Sequence, residues 1–311
     1  MIYLKLRGRI GNQLFMYATA RTIQWLKGDD DTIVIEDYKN QANDSLVYEN
    51  SLVNYPLHNV EFVHDLSIWH SVKLLPLRIK WLFISRLMEN TKNFEKKYMI
   101  SQKYQWFYNR CGVFHIQDGY VPYPSKFKKN VYVDGYFQSE KFFEPIKNEI
   151  KETFLLKEET DNCGYPNIDK IRERNTICIS AKVQHNVGNK MYDVCDMDYY
   201  AKAINYMTEH VDNPLFFICS DDVEYVKENL IDTSKYDVVC QDSKYPVHIS
   251  LAVMALCKHF IIGNTSFGWW AQYLSEHEDK IVVAPSKWYG AEIPQEIYKV
   301  IYQDNWTLIE V

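Results

Sequence analysis

Two short segments of this chain combine glycines, amides and hydroxyls in a pattern suited to gripping an anion. The first is Gly8-Arg9-Ile10-Gly11-Asn12-Gln13, directly after the strand-like Ile2–Leu6. Two glycines permit a tight turn there, and the amides of a following helix start, with the Asn12 side chain, can face a negatively charged ligand. The segment lacks the third glycine of a GxGxxG fingerprint, and no Gly-Lys-Ser/Thr occurs in the chain. Neither a dinucleotide-binding dehydrogenase nor a P-loop NTPase is therefore indicated, and an ordinary strand–helix turn reads equally well. The second segment is Asn264-Thr265-Ser266-Phe267-Gly268-Trp269-Trp270, where the apolar run Phe260-Ile261-Ile262 hands over to a helical pattern. Hydroxyls and free amides at a helix start suit a diphosphate. The plainer reading makes Thr265 or Ser266 a helix cap and the tryptophans core.

The elements that must position these segments alternate between strand and helix, which predicts an α/β architecture. In the first half, strands are expected at 2–6, 33–36 and 131–133, with helices at 12–27 and 140–152. Between 40 and about 125 the apolar residues keep no single period. In the second half, strands are expected at 176–179, 215–219, 238–240, 260–262 and 281–283, separated by helices at 198–209, 223–230, 247–257 and 267–275. Continuous apolar strands alternating with helices describe a doubly wound parallel sheet, whose ligands sit beyond the carboxyl ends of the strands. The division expected is an N-terminal α/β domain over 1–156, a charged linker over 157–174, and a Rossmann-like domain over 175–311.

Composition narrows the class. The 311 residues are 47% hydrophobic and 24% charged, which excludes a disordered chain. The net charge of −6 excludes a generally basic surface for nucleic acid. Seven scattered cysteines without a CxxC pair read as reduced thiols, and the histidines show no metal-binding spacing. A strand-like start and the absence of any apolar run of about 20 residues lead to the expectation of a cytoplasmic protein. One segment departs from the average. Residues 73–110 carry nine Lys/Arg against two acids, a balance of +7 that leaves −13 for the rest, and aromatic residues are interleaved throughout. Such a segment suits peripheral contact with an anionic membrane, here the inner surface, or equally a solvated face.

Three stretches carry a family resemblance. Gly8 to Ala18, Asp134-Gly135-Tyr136-Phe137-Gln138-Ser139-Glu140-Lys141-Phe142, and Cys257 to Trp270 resemble the α-1,2-fucosyltransferases of glycosyltransferase family 11, in the same order and across nearly the whole chain. Ser220-Asp221-Asp222 falls where that family also has Ser-Asp-Asp. The resemblance implies a GT-B-like fold with two Rossmann-type domains and a cleft between them. It also implies inverting, metal-independent transfer from GDP-fucose to a glycan acceptor, free or lipid-linked, in a surface-glycan pathway. Gly8, Gly11, Asn12, Asn264, Thr265, Ser266 and Phe267 would border the donor.

The family's His-x-Arg-Arg-Gly-Asp motif corresponds by position to Ser180-Ala181-Lys182-Val183-Gln184-His185. Lys182 would replace the arginine that grips the donor phosphates, keeping the charge and losing the bidentate fork. Ser250 stands where the family has an acidic residue that reads guanine. His185 is a new ionisable group, either a general base toward the acceptor hydroxyl or a loop residue without a role. Three outcomes fit these departures: GDP-fucose with Lys182 as phosphate ligand, a different nucleotide sugar, or a relative that binds without turnover. Asp196-Met197-Asp198 formally matches a metal-binding Asp-x-Asp but reads better as a helix start. Asp221 and Asp222 are open between a place at the site and capping of helix 223–230.

Overall fold

Thr176-Ile177-Cys178-Ile179-Ser180-Ala181 is buried along its whole length, the pattern of a strand covered on both faces. It is the central strand of one of two parallel sheets in the computed structural model, which describes residues 1–36, 49–63, 68–89, 94–116, 118–184, 188–290 and 293–311. The chain forms two compact units, Met1–Thr153 with Ile293–Ile301, and Phe154–Glu292 with Tyr302–Val311.

In the first unit the strands are β1 (Ile2–Leu4), β2 (Ile33–Glu36), β3 (Val60–Val63), β4 (Val113–His115) and β5 (Val131–Asp134), all parallel in the order β3-β2-β1-β5-β4. The helices are α1 (Ile10–Leu26), α2 (Ile68–Glu89), α3 (Phe94–Lys103), α4 (Gln105–Cys111) and α5 (Lys147–Leu155), the last running into the second unit. The order reverses direction between β1 and β5, so the carboxyl ends of these two strands mark the switch point where such sheets hold ligands.

The second unit opens with α6 (Lys157–Asn162) and α7 (Ile168–Glu173). There follow β6 (Thr176–Ala181), α8 (Met197–His210), β7 (Leu215–Ser220), α9 (Val223–Asn229), β8 (Asp237–Cys240), α10 (Val247–Ala255), β9 (His259–Ile262), α11 (Ser266–Leu274) and β10 (Val282–Pro285). After α12 (Gln295–Tyr298), which belongs to the first unit, β11 (Thr307–Ile309) completes the second sheet in the order β11-β10-β9-β6-β7-β8. Counted from β6, that is the 3-2-1-4-5-6 order of a Rossmann sheet, with its switch point between β6 and β9. The α/β class and the doubly wound second sheet are as expected.

Several sequence expectations need correction. The linker expected over 157–174 is folded into α6 and α7, where Thr160 and Ile171 are buried. Their starts are set by two residues in the left-handed region, Leu156 (φ 47) and Asn167 (φ 59), a break that a charge count does not register. Residues 293–301 return to the first unit rather than staying with the second. The helix expected at 140–152 begins only at Lys147. Glu140–Phe142, capped by the Ser139 side chain, and Glu144–Ile146, with Pro145 in its first turn, are separate single 3-10 turns.

Candidate functional site

At the second unit's switch point, β6 and β9 end side by side, and the Gly263 amide donates to the Ser180 carbonyl at 3.0 Å. The chain then turns into α11. Thr265 is its N-cap, and the Thr265 Oγ1 accepts from the Gly268 amide at 3.1 Å. Ser266 and Phe267, half-buried, are the first helical residues, whose amides have no acceptor within the helix. The pair of tryptophans that follows is fully buried, Trp269 stacking on Tyr273 with ring centroids 4.8 Å apart. The helix start is thus held rigidly by its own core face.

Gly268 lets α11 lie directly on β6. A Cβ placed there would sit 2.8 Å from Ser180 Oγ and 3.1 Å from Ser180 Cβ. This is the close helix–strand approach that glycine serves in nucleotide-binding turns. It brings the α11 N-terminus beside the chain leaving β6, which carries Lys182.

Lys182 is half-buried at the start of the turn after β6. That turn is fastened from β7. One Asp221 carboxylate oxygen accepts from the Val183 amide at 2.8 Å, and the Gln184 amide lies 3.3 Å from the other. Asp222 Oδ2 accepts from Gln184 Nε2 at 2.8 Å, while its Oδ1 caps α9 by accepting from the Tyr225 amide at 2.9 Å. The two aspartates therefore divide the readings left open: Asp222 is both a cap and a tether, and Asp221 holds the Lys182 turn. His185 lies outside the described residues.

Asn264 is buried and its side chain is committed. Its Nδ2 donates to the Tyr192 and Trp288 carbonyls, both at 3.0 Å, and its Oδ1 faces the Cys195 thiol at 3.6 Å. Asn264 accordingly positions the surrounding loops. Burial pushes the Cys195 thiol up to about 12, so it is a neutral partner. Ser250 is buried in the first turns of α10, which packs against α11. Asp196 caps α8 by accepting from the Tyr199 amide at 2.9 Å, and Asp198 pairs with Lys202 on the same helix. The formal Asp-x-Asp is therefore a helix start.

The first unit has its own polar switch point. Gly8 follows β1 with φ +69, and a Cβ there would lie 2.6 Å from Asn12 Nδ2. Asn12 thus folds over Gly8, and its Oδ1 accepts from Gln138 Nε2 at 2.7 Å. Gly11 is buried in the first turn of α1. Gln13 ties the turn further, its Nε2 donating to the Gly8 and Glu49 carbonyls, each at 2.9 Å. At the ends of β5 and β4, fully buried Asp134 pairs with Arg7 at 2.6 Å, and His115 Nδ1 lies 2.6 Å from the Asp134 carbonyl oxygen. Burial pushes His115 down to about 4, outweighing the Asp134 charge. Burial also lowers Lys5 below its usual value, with Asp134 opposing. Sequence reasoning gave no part to Arg7, Ser180 or Gln138. Ser180 and Gln138 both lie in family-like stretches, yet the partner of Gln138 lies 126 residues away.

The chemistry on offer is that of two sheet edges, each with a glycine turn, oriented amides and a nearby cation, Lys182 on one and Arg7 on the other. Two Rossmann-type sheets of this kind are the GT-B-like architecture of glycosyltransferases. In fold, the protein is similar to crystal structures of the NodZ α-1,6-fucosyltransferase. One, soaked with GDP-fucose, is 13% identical over 88% of this chain and 91% of that chain, with a TM-score of 0.52. Another, from Bradyrhizobium, is 12% identical over 87% and 91%, with a TM-score of 0.51. The sequence profile of glycosyl transferase family 11 matches residues 1–310, and the chain belongs to that family. It is 25% identical over 328 residues to the O-antigen biosynthesis glycosyltransferase WbnK of Escherichia coli, covering 98% of this chain and 99% of that protein. It is also 25% identical over 300 residues to an α-1,2-colitosyltransferase of Escherichia coli, covering 94% and 93%. Sugar transfer is thus the chemistry of this family, and the protein is a glycosyltransferase.

Proposed function

We propose that the protein is an inverting, metal-independent glycosyltransferase that moves fucose from GDP-fucose to a galactoside-type hydroxyl of a surface-glycan precursor. The arrangement that carries this reading is the second unit's switch point: the Thr265-capped start of α11 beside the Lys182 turn, in a chain of family 11. In this reading the diphosphate lies at the amides of Ser266 and Phe267, and Lys182 neutralises the leaving GDP as the C1–O bond breaks. The acceptor hydroxyl attacks C1 from the opposite side and gives up its proton, for which His185 is assigned as base. Ser250 offers guanine a hydroxyl in place of a carboxylate. Gly8, Gly11 and Asn12 are assigned as ligand contacts on the first unit's edge, and Asn264 supports the turn it precedes.

A second reading keeps the reaction and changes the sugar. It is favoured by the relative named as an α-1,2-colitosyltransferase, together with the replaced motif around Lys182. Incubating the protein with GDP-fucose and a galactoside acceptor, followed by product analysis, tests the first reading. A fucosylated disaccharide supports it. Transfer from another nucleotide sugar alone supports the second, and binding without turnover overturns both. Replacing His185 by Ala without effect on transfer would remove the base assignment.

A further inference from the structure

The helix α2 has two apolar faces. Leu77 and Trp81 turn inward and are buried against Tyr3, Val34, Tyr108 and Tyr132 of the first unit. Val72, Leu75, Ile79, Leu82 and Phe83 are instead 54–62% exposed. At about 100° per residue these five fall within an arc of about 100°, on the side away from Trp81. Such a stripe exceeds the scattered apolar residues of an ordinary surface. Exposed cations lie with it: Lys80 beside the arc and Arg86 within it. The helices that follow expose Met99 and Trp106, together with Lys96, Lys103 and Arg110.

We propose that this face of α2 docks on an anionic lipid surface, its apolar stripe entering the headgroup region while Lys80 and Arg86 meet lipid phosphates. Charge selects this occupant. The segment 73–110 carries +7, so pairing two copies through the stripe would bring like charges together, whereas an anionic bilayer complements them. The helix lies on the membrane and does not enter it as a span, since no helix among the described residues is long and apolar enough to cross one.

The test is flotation of the full-length protein with phosphatidylcholine vesicles with and without phosphatidylglycerol, across a salt series. The wild type should float with the anionic vesicles, less so as salt rises. Both Leu82→Asp/Phe83→Asp and Lys80→Glu/Arg86→Glu should lose more than about tenfold in binding. Because the side chains replaced are exposed, circular dichroism should be unchanged. The proposal is overturned if the wild type floats equally with neutral vesicles or with none, or if both variants bind like the wild type. It is also overturned if the stripe variant abolishes only a dimer seen in ultracentrifugation and leaves vesicle binding intact.

Discussion

Gln138 donates from Nε2 to the side-chain oxygen of Asn12 at 2.7 Å, joining the loop after β5 to the first turn of α1. The bond decides which end of the Asn12 amide is spent. With Oδ1 engaged, Nδ2 remains as the donor over Gly8, the polarity needed to meet a phosphate or sugar oxygen. Gln138→Leu should release that orientation. In the proposed transferase, kcat/KM should fall by about tenfold, the worth of one oriented hydrogen bond. The melting temperature should move little. A variant with unchanged kinetics would show that Asn12 does not contact the ligand.

The contact of α11 with β6 predicts an unusual sensitivity at one glycine. Gly268→Ala should destabilise the protein by about 1–3 kcal/mol, because the new methyl meets Ser180 in a close-packed interior. It should weaken nucleotide-sugar binding at the same time. Ser180→Gly removes the atoms in the way, so the double variant should regain most of the lost stability in chemical denaturation. No recovery would place the strain elsewhere.

Asp221 should act through the turn it holds. Asp221→Ala removes the acceptor for the Val183 amide while leaving residue 182 a lysine. Donor affinity should fall by about tenfold, and the added loss on combining it with Lys182→Ala should be small, since coupled residues are non-additive. Full additivity in binding calorimetry would separate the two residues.

Burial of neutral His115 makes stability depend on pH. Its value of about 4 in the folded protein lies below its ordinary value of 6.5, so the unfolded chain binds more protons between the two. The stabilising contribution is complete above pH ~6.5 and is lost as pH falls toward ~4, with an upper bound of ~3 kcal/mol. His115→Phe should flatten this part of the stability curve measured by urea unfolding. An unaltered acid limb would mean that other groups set it.

The second sheet was legible because β6 and β7 are continuous buried runs and β9 is buried from Phe260 onward, with helices following the strands whose starts carry capping residues such as Asp196, Asp222 and Thr265. The region from 40 to 125 was not, and α2 shows why. A helix that buries Leu77 and Trp81 on one side and exposes Leu75, Ile79 and Phe83 on the other has no single apolar stripe. The edge strand β3, with Glu61 and Phe62 exposed, lacks the buried run that marked the central strands. At the site, the cap at Thr265 could be read locally. The need for glycine at 268 could not, since it arises from Ser180 on a strand 88 residues earlier in the chain.

Isothermal calorimetry of the wild type and Lys182→Ala against GDP-fucose, GDP, and uridine and thymidine nucleotide sugars tests the central claim most directly. The account predicts that GDP and GDP-fucose bind, that the other bases do not, and that Lys182→Ala weakens guanosine ligands by about ten- to a hundredfold through loss of a charge-assisted contact. Equal binding of uridine ligands, or an affinity unchanged by removing Lys182, would contradict it.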